Sequence, residues 1–280
     1  MAASTMTGPV AHHFDSMNQQ QATVRLGMWL FLVTEVLFFG GVFCAYTAYR
    51  IWYPNDFAAG SAALNVGIAT VNTFLLLASS LTITLAIRCA SVADKSGLKR
   101  NLMFTIVLAC LFLGLKAREY QLDYEEGLIP STKMIRHEES VTVTDAKTGA
   151  VSTRTEVIES SAFNEALKHK LKNEEFKGEA GKDYEPYRVQ LFFMFYYSMT
   201  GLHVLHMIIG VGLLIWQYIL ATTGFFDHKS RYVYVEVMSL YWHFVDMAWM
   251  FLLPLLYLCG PHNAGQAVQQ FKLALGMAEH

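Results

Sequence analysis

A single carboxylate, Glu35, lies inside the apolar stretch LGMWLFLVTEVLFFGGVF at residues 26–43. The stretch is long enough to cross a bilayer, and an ionised acid near hydrocarbon is costly unless it is paired, hydrated or protonated. A carboxyl group in such a place can carry a proton or contact a lipid. Glu35 is therefore the first candidate functional residue.

Small and polar residues recur every seven positions around this carboxylate and in the next apolar run. The first set is Gly27, Thr34, Gly41 and Ala48, and the second is Asn65, Asn72, Ser79 and Ala86. Because neighbouring helices approach closely at small residues, we expect the first stripe to face the bundle and Glu35 to point inward beside it. Asn72 and Ser79 are then predicted to lie within hydrogen-bonding reach of the Glu35 carboxyl group.

Three histidines and one aspartate lie in the last two apolar runs. His203 and His206 are three apart in MTGLHVLHMIIGVG, and His243 and Asp246 are three apart in LYWHFVDMAWMFLLPLLY, so each pair shares a helical face. Four interpretations stay open at this point: two axial ligands of a b-type haem, a metal site, a transport pathway lined by ionisable groups, and an internal polar network that fixes helix register.

The composition predicts a membrane protein. The chain has 280 residues, of which 54% are hydrophobic, and a mean hydropathy of +0.30, which is too apolar for an ordinary soluble domain. The net charge of -2 gives no basic field for nucleic acid. The four cysteines lie far apart, so we interpret them as free thiols.

Five membrane spans are predicted at about 20 apolar residues each. They cover 26–49, 66–88, 101–117, 189–217 and 237–259. The short loop 88–101 carries four basic residues, Arg88, Lys95, Lys99 and Arg100, against the one acidic residue Asp94. Because basic short loops stay in the cytoplasm, the N-terminus is predicted to be cytoplasmic, and the C-terminus outside.

A polar insertion at 119–187 separates the third span from the fourth. It holds 15 of the 23 acidic residues and 9 of the 21 basic ones, so it is predicted to be a small extracytoplasmic α+β unit. SVTVTDAKTGAVSTRTEVIE predicts a β-hairpin turning at Lys147-Thr148-Gly149, and SSAFNEALKHKLKNEEF predicts a helix. The chain thus divides into 1–118 (tail and three spans), 119–187, and 188–280 (two spans and tail). A solvated decoration and a docking surface are both open interpretations of the insertion.

Several of these segments resemble one family, subunit III of the haem-copper oxidases. The matching segments are GMWLFLVTEVLFF, VNTFLLLASSLTIT, LKAREY, TGLHVLHMIIG and YWHFVDMAWMFL, which occur in family order and touch every span. The resemblance implies an all-α five-helix membrane subunit of a respiratory oxidase, which stabilises the catalytic subunit and supports proton uptake or oxygen access. It implies a proton-pumping cytochrome c oxidase of aerobic respiration in a bacterial inner membrane.

The resemblance also implies what the chain does and does not bind. No haem, copper or catalytic centre is expected in this chain, because these belong to partner subunits. Subunit I is expected to pack directly against the helices, and subunit II or a cytochrome c is a candidate partner of the insertion. The carboxylate matching Glu35 is the site that reacts with a hydrophobic carbodiimide, and bound phospholipid is expected. Asn72, Ser79, His203, His206, His243 and Asp246 are then interpreted as an internal polar network.

Other functions remain open from the sequence. Seven-helix members of the family have two additional helices that form a lipid-filled cleft with the other five, and the resemblance here begins at the third. A quinol oxidase subunit and an accessory protein of nitric oxide reductase would share the fold. An autonomous b-type cytochrome and an ion transporter are more distant alternatives.

Overall fold

The structure is a computed structural model that describes residues 14–130, 134–144, 151–173, 185–227 and 231–258. In these residues it has seven α-helices and two β-strands. The helices are α1 (Met17–Trp52), α2 (Pro54–Ala62), α3 (Val66–Ser91), α4 (Lys95–Glu125), α5 (Ala162–Asn173), α6 (Pro186–Thr222) and α7 (Tyr232–Tyr257). Five of them, α1, α3, α4, α6 and α7, are long and apolar enough to cross a membrane, which confirms the predicted five-helix membrane fold.

Three of the long helices begin at side-chain caps that the sequence provides. The side chains of Ser16, Asn65 and Asp94 accept hydrogen bonds from the backbone N–H groups three residues ahead, at the starts of α1, α3 and α4. Each cap satisfies one backbone donor that the first turn of a helix leaves free. α1 and α4 therefore start before their apolar stretches, so polar residues belong to the same helices.

Four of the spans form the core of the bundle, and α1 is added at its edge. α3 packs along α4 and α7, α6 packs along α4 and α7, and α1 packs mainly along α7 with a smaller contact to α6. The buried interior contains large aromatic side chains, including Phe112, Tyr196, Trp242, Trp249 and Tyr257. α1 and α3 both lie against α7 without packing along each other.

The face that α1 buries differs from the predicted one. Leu32, Phe39 and Tyr46 are its buried residues, whereas Gly27 and Gly41 are exposed and would meet nothing if a methyl group were added. The expected stripe of small residues therefore points away from the bundle. The larger side chains face inward because they bury more apolar surface against α7. On α3, by contrast, Asn72, Ser79 and Ala86 of the second set are buried.

A short helix, α2, occupies the segment between the first two spans that the sequence analysis treated as a loop. Pro54 starts it, and every residue from Asp56 to Ala62 is buried. Gly60 lies against the ring of Phe192 on α6. The side chain of Asp56 accepts a hydrogen bond of 2.6 Å from the backbone N–H of Glu185, so α2 ties the end of α1 to the start of α6.

The helix α4 runs past the predicted end of the third span at 117 and continues to Glu125. Placing Glu119 and Asp123 in an aqueous insertion was therefore wrong, because both are helical and buried. Their positions continue the buried face of α4 at helical spacing from Phe112 and Lys116. The helix ends where Gly127 adopts a positive φ of 75°, a conformation that glycine takes without strain.

Between α4 and α6 the structure describes two antiparallel strands, β1 (Met134–Thr144) and β2 (Val151–Ser161), followed directly by α5. The predicted turn at 147–149 lies outside the described residues. Phe163, Leu167 and Leu171 of α5 are buried and belong to the core of the bundle, and the ring centroids of Phe163 and Phe193 are 5.4 Å apart. α5 is thus packed on the bundle. That the insertion forms an α+β unit of its own stays a prediction.

Candidate functional site

Glu35 pairs with His206 half-way along the bundle. The carboxylate oxygen Oε2 of Glu35 lies 3.0 Å from Nε2 of His206, which joins α1 to α6. The side chains are 20% and 12% exposed, for glutamate and histidine respectively, so the pair is largely enclosed but not sealed. The two residues that the sequence analysis considered separately therefore form one unit.

The hydrogen bonds of His206 determine how this unit holds its proton. Its Nδ1 lies 2.7 Å from the carbonyl oxygen of Leu202, and a carbonyl can only accept, so Nδ1 must be the donor. Nε2 then needs a proton shared with the Glu35 carboxyl group. Either a neutral imidazole accepts from a protonated carboxyl, or an imidazolium donates to a carboxylate. Both forms are net neutral, which suits a site inside a bilayer.

Aromatic side chains surround the pair. The ring of Phe39 lies 5.1 Å from the imidazole ring of His206, and Tyr241 donates a hydrogen bond of 2.9 Å to the backbone oxygen of His206. The imidazole is therefore held by its own helix and by α1, while the bond from Tyr241 joins α7 to the backbone of α6.

The predicted partners of Glu35 on the second span were wrong. Asn72 and Ser79 lie on α3, which does not pack along α1. Ser79 accepts a hydrogen bond of 3.0 Å from the indole N–H of Trp242 in place of the expected contact with Glu35. The reason is the position of α7 between the two helices, which the sequence does not reveal.

Asp246 and His243 also find separate partners. Ser80 donates a hydrogen bond to Oδ2 of Asp246, and Nε2 of His243 lies 3.4 Å from the hydroxyl of Thr84. Both contacts join α7 to α3. The contacts of α7 with α1 are made by other residues, Phe244 and Phe251.

Two members of the predicted polar network, Asn72 and His203, are fully buried and have no hydrogen-bond partner among the described residues. The ring of His203 lies 5.2 Å from Trp249 and 5.6 Å from Phe112. The six residues assigned to one network are thus distributed over separate contacts. Their interpretation as a single connected unit does not match this geometry.

The largest buried polar cluster was not among the predicted site residues. Its members are Lys116 and Glu119 of α4, Tyr196 of α6 and Tyr257 of α7; we call it the lysine cluster. Nζ of Lys116 lies 3.0 Å from Glu119 Oε2, 3.2 Å from Tyr196 Oη and 2.6 Å from Tyr257 Oη. The other oxygen of Glu119 accepts from Tyr196 at 3.0 Å and from Tyr257 at 2.6 Å.

The lysine cluster is complete in its hydrogen bonding. An ammonium group has three donors, and the three of Lys116 have three oxygen partners. The ammonium also lies over four aromatic rings, 5.0 to 5.3 Å from their centroids, which adds cation–π attraction. Such a closed arrangement has no free position for a substrate. Its role is structural, because its hydrogen bonds join α4, α6 and α7. The segment LKAREY contained its signal, since positions 116 and 119 share a helical face.

Haem or metal binding has no support from clustered ligands. In the described part of the chain no three or more histidine, cysteine, aspartate or glutamate side chains come together as a metal site. Cys44, Cys89 and Cys110 are free thiols, and Cys259 lies outside the described residues. The expectation that this chain carries no cofactor stays a prediction.

An apolar groove of about 210 Å³ lies beside the Glu35 helix. It runs between α1 and α7 and is lined by Val36, Phe39, Gly40, Phe43, Phe244, Met247, Ala248 and Phe251. None of these side chains offers a hydrogen bond, so the groove suits a hydrocarbon chain. Phe39 forms part of this wall and also touches His206.

Comparison with known proteins agrees with this architecture. The family model described as cytochrome c oxidase subunit III matches residues 5–124 and 189–261, leaving out the segment between them. The relatives that the chain resembles include three named cytochrome c oxidase subunit 3. The one from Ornithorhynchus anatinus is 26% identical over 250 residues, covering 86% of this chain and 71% of the relative. The one from Anopheles gambiae is 28% identical over 247 residues (85% and 70%), and the one from Thermostichus vulcanus 25% over 236 residues (83% and 86%). The chain belongs to the cytochrome c oxidase subunit III family.

Proposed function

We propose that this chain is the non-redox subunit III of a proton-pumping cytochrome c oxidase in a bacterial cytoplasmic membrane. In this role it stabilises the catalytic subunit and supports proton uptake or oxygen access, while haem and copper are held by partner subunits. Membership of the family supports the assignment to a respiratory oxidase. The observation that supports the finer proposal is the Glu35–His206 pair, because its contact of 3.0 Å can hold one shared proton in the middle of the bundle.

The pair has the properties that a protonatable functional group in a membrane needs. Glu35 and His206 come from different helices, so the shared proton responds to any movement of α1 relative to α6. Glu35 is partly exposed at a bundle edge, so a proton donor or a hydrophobic reagent can reach it from the membrane side. The lysine cluster lacks this access because its side chains are 1% and 3% exposed at Lys116 and Glu119.

Carbodiimide labelling of the intact complex tests the role of Glu35. A hydrophobic carbodiimide adds to a protonated carboxyl group in an apolar environment, so we expect wild-type chain to be labelled and Glu35→Gln to lose the label. Oxidase turnover by Glu35→Gln is expected to decay faster than wild type during sustained catalysis. Unchanged labelling, turnover stability and lipid content in Glu35→Ala would contradict the proposal.

Glu236→Gln is the matched control. Glu236 also lies in a span, but its Oε2 pairs with Arg25 Nη2 at 2.8 Å, and both side chains are about one-third exposed. An ionised carboxylate in such a pair has no proton to give to the reagent. We therefore expect Glu236→Gln to leave the labelling unchanged. If Glu236→Gln loses the label and Glu35→Gln keeps it, the reactive carboxyl group is Glu236 and the proposed role of Glu35 is wrong.

Purification in mild detergent tests the assembly itself. The expected result is a large multi-span partner that brings a haem a or haem o spectrum, which disappears when that partner is removed. A haem spectrum retained by the isolated chain would indicate a cytochrome. A quinol oxidase would differ from a cytochrome c oxidase in the electron donor that the complex accepts.

Bound phospholipid is part of the proposal. The groove between α1 and α7 is apolar along its length, and a lipid acyl chain would fill it while its headgroup reached the interface. Met247→Trp would fill this groove from α7, since Met247 is 59% exposed there. We expect fewer phospholipids per purified complex in this variant, by quantitative lipid mass spectrometry, with Ile208→Trp on the exposed face of α6 as control.

The orientation proposed for the chain has the N-terminus in the cytoplasm and both the C-terminus and the insertion that follows α4 outside. The basic turn between α3 and α4 supports it, because Lys99 and Arg100 follow the cap of α4 at the same end of the bundle as α1 begins. The insertion is proposed as a small α+β unit that contacts subunit II or a cytochrome c. Protease protection in sealed inverted vesicles tests this orientation.

A further inference from the structure

The seam where α3 meets α7 carries four polar side chains: Ser80 and Thr84 of α3, and His243 and Asp246 of α7. We call it the polar seam. Ser80 donates to Asp246, and Thr84 and His243 meet at 3.4 Å. Asp246 is buried, Ser80 and His243 are half-buried, and Thr84 is exposed. The outer edge of the seam is therefore open to whatever surrounds the bundle.

The hydrogen bonds of Thr84 determine which nitrogen of His243 is a donor and which is an acceptor. The single hydroxyl proton of Thr84 is donated to the carbonyl oxygen of Ser80 at 2.8 Å. In the contact with His243, Thr84 can then only accept, so Nε2 of His243 is the donor. Nδ1 of the neutral imidazole is left as an acceptor. Among the described residues His243 has no other hydrogen bond.

A lipid acyl chain is a poor neighbour for this acceptor, Nδ1 of His243. His243 lies about 17 Å along α7 from its first residue at 1.5 Å per residue, which is deep in a span of this length. Hydrocarbon has no donor to offer an exposed ring nitrogen. The groove between α1 and α7 shows the contrast, since its lining from Val36 to Phe251 is apolar. That groove suits an acyl chain, whereas the open edge of His243 calls for a hydrogen-bond donor.

We propose that the polar seam is the face on which a membrane-spanning helix of another oxidase subunit packs. That helix brings a hydrogen-bond donor, such as a hydroxyl, an amide or an indole N–H, to Nδ1 of His243. Leu77 and Leu81, which are 50% and 61% exposed beside the seam, supply apolar contact area next to this bond. The inference rests on the proposed function, because that function requires contact with another subunit and the inference assigns this contact to the polar seam.

Site-specific photo-crosslinking in the intact complex tests the face. p-Benzoylphenylalanine replaces Leu77 beside the seam or Ile208 on the exposed face of α6, which is 55% exposed. We expect the Leu77 position to give an adduct with a multi-span subunit and the Ile208 position to give none. If that subunit co-purifies but Leu77 yields only lipid adducts, this inference fails while the proposed function stands. If no haem-bearing partner co-purifies, both fail.

Two variants of His243 test the chemistry. His243→Asn places a carbonyl oxygen near the position of Nδ1 and keeps an acceptor for the partner, whereas His243→Gln places its amide near Nε2 and keeps only the contact with Thr84. The measurement is the rate at which the partner subunit dissociates in a harsher detergent. We expect the partner subunit to dissociate from His243→Asn at the wild-type rate and from His243→Gln about three- to tenfold faster.

Thermal unfolding of the isolated chain accompanies this experiment. Equal unfolding temperatures for the two variants show that both bundles are intact, so a difference in dissociation belongs to the partner contact. Equal dissociation rates for Asn and Gln, or faster dissociation of Asn, would overturn the assignment of a donor to the partner helix.

Discussion

The lysine cluster and the Glu35–His206 pair both place ionisable side chains inside the same helical bundle, yet their surroundings differ. Lys116 has three oxygen partners and aromatic rings around its ammonium group. Glu35 has one hydrogen-bond partner among the described residues and remains 20% exposed. The first arrangement is closed, and the second has an open side. A buried ionisable group can thus either lock helices together or remain available for reaction. The number of its hydrogen-bond partners distinguishes the two cases.

The difference follows from where each group lies. The lysine cluster lies where α4, α6 and α7 come together, and all three helices contribute a side chain. The Glu35–His206 pair lies at the edge where α1 is added to the bundle, and α1 buries only Leu32, Phe39 and Tyr46 along its length. An edge helix held by few contacts can move, so a proton shared across that edge is sensitive to its position.

Removing the ammonium group of Lys116 is expected to have the largest effect. Lys116→Met leaves the Glu119 carboxylate buried with two tyrosine hydroxyls and no cation, and breaking a buried pair in this way costs about 3–5 kcal/mol. We expect the variant to lose most of its folded population in mild detergent, measured by size-exclusion chromatography and thermal unfolding. Arg100→Met, an exposed cation on the same helix, is the control and should unfold as wild type.

A double variant sharpens this result. Lys116→Met combined with Glu119→Leu removes both charges, and replacing a buried ion pair by apolar residues is often close to neutral. The double variant should therefore be more stable than Lys116→Met alone. If the double variant is the less stable of the two, then the cluster does not act as a closed ion pair.

Close packing at the same end of the bundle gives the next largest effect. A methyl group at Gly60 would meet the ring of Phe192, so Gly60→Ala forces α2 away from α6 at a cost of about 1–3 kcal/mol. Gly41→Ala is the matched control, since a methyl group there meets nothing. A lower unfolding temperature for Gly60→Ala alone is expected. Equal temperatures would show that α2 is not held against α6.

The sequence was sufficient for the spans because twenty or more apolar residues in a row have few other structures available. It failed for α2, because a nine-residue helix of small residues carries little periodic signal. The end of α4 was misplaced because Glu119 and Asp123 were assigned to the polar insertion, whereas tertiary partners satisfy Glu119 inside the protein.

The pairing of site residues could not be predicted for a different reason. Helical spacing places residues on a face but does not identify the helix that lies opposite. His206 and Glu35 are 171 residues apart, and either α3 or α6 could have faced α1 from the sequence alone. Only the packing of α1 against α7 and α6 decides the partner. One sequence without relatives does not contain that information in its local pattern.

Replacing Glu35 should alter chemistry more than stability. In Glu35→Gln the new amide can still donate to Nε2 of His206, so the interhelical hydrogen bond is kept and the expected loss is about 1 kcal/mol or less. The proton shared by the pair is lost, because an amide does not titrate. We expect an unfolding temperature within a few degrees of wild type together with complete loss of carbodiimide labelling. A loss of stability as large as that of Lys116→Met would remove the distinction between the two sites.

An exposed ion pair at the end of α4 completes the series with the smallest effect. Lys170 of α5 contacts Glu126, and their side chains are 21% and 45% exposed. Because water screens such a pair and holding two long side chains costs entropy, its contribution is about 0–1 kcal/mol. Lys170→Met should therefore leave the unfolding temperature nearly unchanged. Leu167→Ala, which removes a buried side chain of the same helix, should lower it and make α5 more sensitive to proteolysis. If instead Lys170→Met has the larger effect, α5 is held to the bundle by charge and not by its apolar face.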